Sequence, residues 1–270
     1  MKLFISLMLM CPLIAFSQSP EFTISPKRLT NETFKQAITR VKQQAPQGVI
    51  KSLRPRETPV GNKVLFKDMD FSSVPMVASY EELMHLFKVI RDSRFLHTME
   101  KPDFARRISW LYPDDGCFAR AALSGIKLES EQLQRPAKIF AFGDLMVQTK
   151  YSQEGYVTWW YHVSTAVNYM GTIYILDPAL NPDSPMLVDE WYGRMGNVAE
   201  LTGAVCNTYT YDPFDGCFTA DATSEAKAER NQERYLDWEW ERVTDLGFDP
   251  VAFLGENPPW IIDTPNSAIR

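Results

Sequence analysis

The chain has 270 residues, 45% of them hydrophobic and 13% aromatic, enough for one well-packed domain with an appendage. Its formal net charge of −6 argues against nucleic acid as a partner, because phosphate binding needs a basic surface. No internal repeat at solenoid periods and no long low-complexity tract is present.

In chain order, Lys2 precedes a largely apolar run from Leu3 to Phe16, followed by Ser17-Gln18-Ser19. That run is too short for a stable membrane anchor and has the form of a secretory signal, with Ala15-Phe16-Ser17 as the cleavage pattern. Residues 1–17 are therefore expected to be a signal peptide and the protein to be secreted or periplasmic, with no membrane anchor. Residues 18–75 carry dispersed Lys, Arg and Pro, with a helical pattern over 32–42, and read as a flanking segment or pro-region. A catalytic domain is expected over 76–270.

Leu83, Leu86, Phe87 and Ile90 recur at helical spacing behind Ser79, a capping residue, which predicts a helix over 80–92. A second helix or turn is predicted over 103–108. The segment Pro113-Asp-Asp-Gly116 forms a turn, after which Phe118 to Ser124 favours helix, with Gly125 as its stop. Strands are predicted at 138–143, 145–149, 157–167 and 172–176, rich in aromatic and β-branched residues. The tail, 224–243, reads as a helix ending at Gly247. Helices, then an antiparallel sheet, then a helix make an α+β domain.

The cysteines carry the first functional signal. Loss of the signal segment removes Cys11 and leaves Cys117, Cys206 and Cys217. In an exported protein an even pair is expected to oxidise, and Cys206 and Cys217 are close in sequence within a loop rich in Asn, Thr, Asp, Pro and Gly. Cys117 is then the odd thiol. It sits in the first turn of the predicted helix, where unpaired N–H groups favour a thiolate and can also stabilise an oxyanion. Asp215-Gly-Cys217-Phe repeats nearly the same tetrapeptide, so Cys217 is an alternative nucleophile; its nearby disulfide partner makes Cys117 the preferred one.

Of three histidines, His85 lies in the 80–92 helix and His97 in a connection. His162 lies in a strand among aromatic residues, partly desolvated and rigid, as a general base requires. If the following connection is a hairpin centred between Tyr169 and Met170, paired residue numbers sum to 339, and His162 faces Asp177 directly. A carboxylate there fixes the imidazole tautomer and steadies its protonated form. Trp110 and Tyr112, upstream of Cys117, and Trp160, upstream of His162, are expected to contact substrate. No Walker loop, GxGxxG, GxSxG, HExxH or CxxC is present, so neither a cofactor nor a metal site is expected.

Three stretches together resemble the bacterial protein-glutaminases: Tyr112-Pro-Asp-Asp-Gly-Cys-Phe-Ala-Arg-Ala121, Trp159-Trp-Tyr-His-Val163 and Ile175-Leu-Asp-Pro-Ala-Leu180. The order Cys, His, Asp is that family's, and the resemblance covers about residues 80–220. It implies a transglutaminase- and papain-like core. It also implies a monomeric deamidase in which Cys117 is the nucleophile, His162 the acid and base, and Asp177 the orienter. The substrates implied are proteins or peptides bearing accessible glutamine. Two other readings remain open: a cysteine protease or transglutaminase on the same scaffold, and an exported binding protein using Trp159, Trp160, Trp191, Trp238 and Trp240.

Overall fold

The computed structural model describes residues 63–211 and 222–262, without the side chains of 222–231 and 262. The signal segment, the 32–42 helical pattern, the rest of the flanking segment to residue 62, and Cys217 lie outside the described residues.

Helix α1, Tyr80–Asp92, begins at Ser79, whose Oγ accepts from the Glu82 N–H at 3.0 Å, while Glu82 Oε2 accepts from the Ala78 N–H at 2.6 Å. The first bond satisfies a first-turn donor that the helix itself cannot, and the second ties the residue before the cap back to that turn. Leu83, Leu86, Phe87 and Ile90 are buried, as the periodicity predicts. Each such side chain contributes about 1.5–3 kcal/mol on leaving water.

Of the helix or turn expected over 103–108, a turn is present at the start, where the Phe104 N–H donates to the Lys101 carbonyl at 3.1 Å, and no helix follows. Phe95 and Leu96 N–H donate to the Arg106 carbonyl, and Arg106 N–H donates to the Leu96 carbonyl at 2.7 Å, so the chain is extended at Arg106. This conformation sends the Arg106 side chain inward to Glu239, at 2.7 Å.

Helix α2, Cys117–Ser130, runs past the expected stop at Gly125. Gly125 serves close approach instead: a Cβ there would lie 3.3 Å from Arg135 Nε.

The sheet has six antiparallel strands in the order β1-β6-β2-β3-β4-β5. They are β1 Val64–Leu65, β2 Ala137–Gln148, β3 Tyr156–Tyr169, β4 Thr172–Leu176, β5 Met186–Leu187 and β6 Thr202–Cys206. The two strands expected over 138–149 are one strand, β2, with a register shift between Phe142 and Leu145. A bulge absorbs one extra residue without ending the ladder.

The β3–β4 hairpin also differs from expectation. Tyr169 pairs with Thr172 and Thr165 with Leu176, so paired numbers sum to 341, not 339. The loop is Met170-Gly171, with φ of 52° and 82°, and two successive positive φ values give the turn whose twist matches the strands. A shift of two residues, unlike a shift of one, leaves every side chain on its original face.

Helix α3, Val188–Met195, and strands β5 and β6 were not anticipated. Helix α4, Ala222–Asp245, fits the predicted tail helix, with Gly247 beyond it at a φ of 81°. Two short helices follow, α5 Pro250–Leu254 and α6 Pro259–Ile262. One apolar cluster joins α1, α2 and the end of α4 to β3 and β4 through Val167 and Leu176. A second joins α3 to β2 and β4, and Phe66, Met69 and Phe71 pack against it. No described helix is long and apolar enough to cross a membrane.

Candidate active site

Cys117 is the first residue of α2, a free thiol, 7% exposed. The preceding Gly116 has a φ of 87° and supplies no capping side chain. The left-handed conformation suits glycine, and a cap without an oxygen leaves the first-turn amides for another acceptor. Neither neighbouring aspartate caps the helix. Asp114 pairs with Arg242 of α4. Asp115 Oδ1 accepts from the Gly116 N–H at 2.6 Å and its Oδ2 from the Tyr235 hydroxyl at 3.3 Å.

Arg120, one turn into α2, is buried. It donates to the carbonyls of Tyr112 at 3.0 Å and Asp115 at 2.8 Å. The loop before the nucleophile is thereby tied to the helix that follows it.

His162 lies on β3 opposite Ala141 of β2, beyond the last β3–β4 pair, and Asp177 immediately follows β4. His162 Nε2 and Asp177 Oδ2 are 2.8 Å apart, with the two residues 1% and 2% exposed. The expected pairing across the hairpin is thus a diagonal contact on one face, since the register moved by two.

Burial opposes the charged ring, but the adjoining Asp177 carboxylate outweighs it, and Cys117 adds to the effect. The His162 pKa is lifted to about 9. Burial likewise disfavours the Asp177 carboxylate, yet His162 and the Trp191 N–H hold its pKa below the ordinary value. Nδ1, the nitrogen not bonded to Asp177, has no well-formed hydrogen bond, while Cys117 is close enough to favour the protonated ring. The structure therefore brings Cys117, His162 and Asp177 to one place.

Two tryptophans complete the setting. Trp191, fully buried on α3, donates Nε1–H to Asp177 Oδ2 at 2.8 Å. Trp159 stacks on the His162 ring, centroids 4.6 Å apart at 12°, and donates Nε1–H to the Pro113 carbonyl at 2.9 Å. One indole thus links the strand of His162 to the loop of Cys117. Neither role was read from the sequence, where both residues stood among the aromatics of a possible binding surface and Trp159 also opened a stretch that carries the family resemblance. For Trp159 the signal was available, three residues before His162; for Trp191 it required α3.

The expected substrate contacts fare differently. Trp110 is a core residue, 4% exposed, with its Nε1–H directed to the Ile90 carbonyl. Tyr112 is also buried, its ring between Tyr235 and Trp238 at 6.1 and 5.7 Å. Both expectations are corrected: the Trp110 ring belongs to the core beside α1, and the Tyr112 ring is spent on packing α2 and α4 together. Trp160 is half-buried and packs on Phe142 and Tyr161, at the edge of the cluster containing Cys117. Cys206 is held in a disulfide, and its expected partner Cys217 lies outside the described residues.

Residues 83–195 match the family model described as glutaminase. That span contains Cys117, His162, Asp177 and both tryptophans, but none of α4.

Among solved structures, the chain is similar to a crystal structure of protein-glutaminase, at 25% identity and a TM-score of 0.42, covering 57% of this chain and 83% of that one. It is also similar to a crystal structure of pro-protein-glutaminase, at 23% identity and a TM-score of 0.41, covering 62% and 58%. A third is the NMR structure of protein-glutaminase from Chryseobacterium proteolyticum, at 20% identity and a TM-score of 0.41, covering 69% and 92%. No curated protein matches the chain.

Proposed function

We propose that the chain, whose residues 83–195 match the family model described as glutaminase, is an enzyme that hydrolyses the side-chain carboxamide of protein-bound glutamine. The observation that supports the mechanism is the His162–Asp177 contact of 2.8 Å, with the Cys117 thiol beside the ring at a helix start.

In this reading the Cys117 thiolate attacks the carboxamide carbon, and the oxyanion is met by first-turn amides of α2. His162, protonated, gives its proton to the amide nitrogen, and the C–N bond breaks to release ammonia. The thioester then receives a water whose proton passes to the neutral imidazole. Glutamate leaves, and the thiolate–imidazolium pair is restored. The unpartnered Nδ1 is the nitrogen available for both transfers. Asp177 keeps its charge throughout, and Trp191 keeps Asp177 oriented.

Casein treated with the enzyme is expected to yield ammonia with neither new peptide termini nor cross-links. New termini would establish a protease, and cross-links a transglutaminase. The rate has a defined pH limit. Ammonia departure needs the imidazolium, so kcat/KM is expected to fall as pH rises through about 9, the raised value of His162. A fall centred near the ordinary 6.5 would contradict the coupling to Asp177.

Stability follows the same sign. The His162 contribution is whole below its unfolded value and is lost as pH rises through about 9. That of Asp177 is present above its unfolded 3.8 and is lost as pH falls through the lowered folded value.

The same proposal holds the protein to be a monomer exported by residues 1–17, secreted or periplasmic, with Cys206 joined to Cys217. Support comes from the Lys2-led apolar run and the disulfide at Cys206. A purified exported form beginning at Gln18, with Cys217 resistant to alkylation until reduced, is the expected result.

A further inference from the structure

One side chain from the far end of the chain touches the residues on both sides of Cys117. The Tyr235 ring, on α4, lies against Gly116 so closely that a Cβ there would come 3.0 Å from its carbons. Its hydroxyl donates to Asp115 Oδ2 across a separation of 120 residues. Its ring meets Phe118 nearly edge-on, centroids 5.9 Å apart at 78°. Residues 115, 116 and 118 are all held by it.

The ring is itself seated between Tyr112 and Trp238, at 6.1 and 5.7 Å. Burial and the nearby Asp115 and Cys117 push the hydroxyl's pKa upward, which keeps it a donor.

Gly116 is the hinge of this arrangement. Its φ of 87° sets the direction in which α2 starts, and with it the position of Sγ and the first-turn amides. On one side the turn is fixed by Asp115 Oδ1 on the Gly116 N–H, on the other by the Tyr235 ring. Without the flat ring the turn has space to rotate, and a displacement near 1 Å in such a site costs about 10²-fold in rate.

We propose that Tyr235 is a positioning residue for Cys117, its ring fixing the Gly116 turn and its hydroxyl holding the Asp115 carboxylate. Helix α4, outside the glutaminase-matched segment, is then part of the catalytic unit. The inference rests on the reading that Cys117 is the nucleophile.

Full-length Cys117→Ala, Tyr235→Phe and Tyr235→Leu enzymes test it. The measurements are kcat and KM for ammonia release from a glutamine peptide, the rate of Cys117 alkylation by iodoacetamide, and far-ultraviolet circular dichroism. Cys117→Ala is expected to retain at most about 10⁻⁴ of the activity. Tyr235→Phe keeps the ring and should stay within about fivefold of wild type. Tyr235→Leu should lose about 10²-fold in kcat, with KM changed less than about twofold, slower alkylation and a native dichroism spectrum.

Normal kcat in folded Tyr235→Leu, with Cys117→Ala inactive, overturns the inference and leaves the nucleophile reading intact. Activity in Cys117→Ala overturns that reading itself. A Tyr235→Phe enzyme as impaired as Tyr235→Leu overturns the role given to the ring. Should Tyr235→Leu not fold, Tyr235→Met, closer in volume, is judged by the same criteria.

Discussion

An Asp177→Asn enzyme is expected to lose on the order of 10⁴-fold in kcat while remaining folded. Asp177 Oδ2 lies 2.8 Å from both His162 Nε2 and Trp191 Nε1, and Oδ1 accepts from the Ala179 N–H at 3.2 Å. An asparagine matches the shape but carries no charge, and its amide can present a donor where His162 also needs to donate. The ring then loses the attraction that outweighs its burial, so it is neutral at working pH. It has no proton for departing ammonia.

The alkaline limb of kcat/KM should therefore move down from about 9, in addition to the loss of rate. Titration of ammonia release against pH checks both effects. A variant with wild-type rate and an unmoved limb would remove Asp177 from the mechanism. Trp191→Phe, which deletes one donor to the same oxygen, is the milder companion change.

The second large effect concerns stability. Glu239→Gln is expected to destabilise the fold by about 3–5 kcal/mol, read as a lowered urea midpoint at unchanged slope. Glu239 is buried with Arg106 at 2.7 Å, and its other oxygen accepts from the Leu111 N–H at 2.7 Å. Burial pushes the Glu239 carboxyl up, against the pull of Arg106. A glutamine can still accept from Leu111, but it leaves a buried guanidinium without its counter-charge. Removing the guanidinium as well, as in Arg106→Met with Glu239→Gln, should recover much of the loss, because no orphan charge then remains and the glutamine still accepts from the Leu111 N–H. A midpoint shift below about 1 kcal/mol in the single variant would show that the pair contributes little.

What could be read in advance follows from the range over which each interaction acts. Helix α1 was legible because Ser79, Glu82 and the apolar positions at 83, 86, 87 and 90 all lie within its own span. Cys117 stood out by cysteine arithmetic and by its place after a Pro-Asp-Asp-Gly turn.

The His162–Asp177 relation was legible in kind but not in detail. Alternation fixes the face, whereas the exact register depends on which two residues adopt positive φ. Over 103–108 the turn formed and the helix did not, because the local pattern carries no information about Glu239, whose side chain pairs with Arg106 on an extended stretch of backbone. Trp110 and Tyr112 were read as substrate contacts for their nearness to Cys117 in sequence. For Tyr112, packing against Tyr235 and Trp238, more than a hundred positions away, decided otherwise, and for Trp110 the core beside Ile90 did. Trp191 could not be assigned, because its partner, Asp177, is reached only after β5 and α3 fold back over the sheet.

The separations within the site differ by nearly an order of magnitude. Base and orienter are 15 residues apart, in one hairpin, while Asp114 and Arg242 are 128 apart and Leu111 and Glu239 also 128. Local opening of a protein releases its most weakly attached units first, and α4 is attached to the nucleophile loop largely by such distant contacts. Release of that one helix would leave the hairpin, and the proton carrier in it, undisturbed, yet would free the segment bearing the thiol. On the proposed mechanism, catalytic power is in this sense a readout of α4: the pair that moves protons, held with Trp191 of α3, does not depend on that helix, whereas the placement of the thiol does.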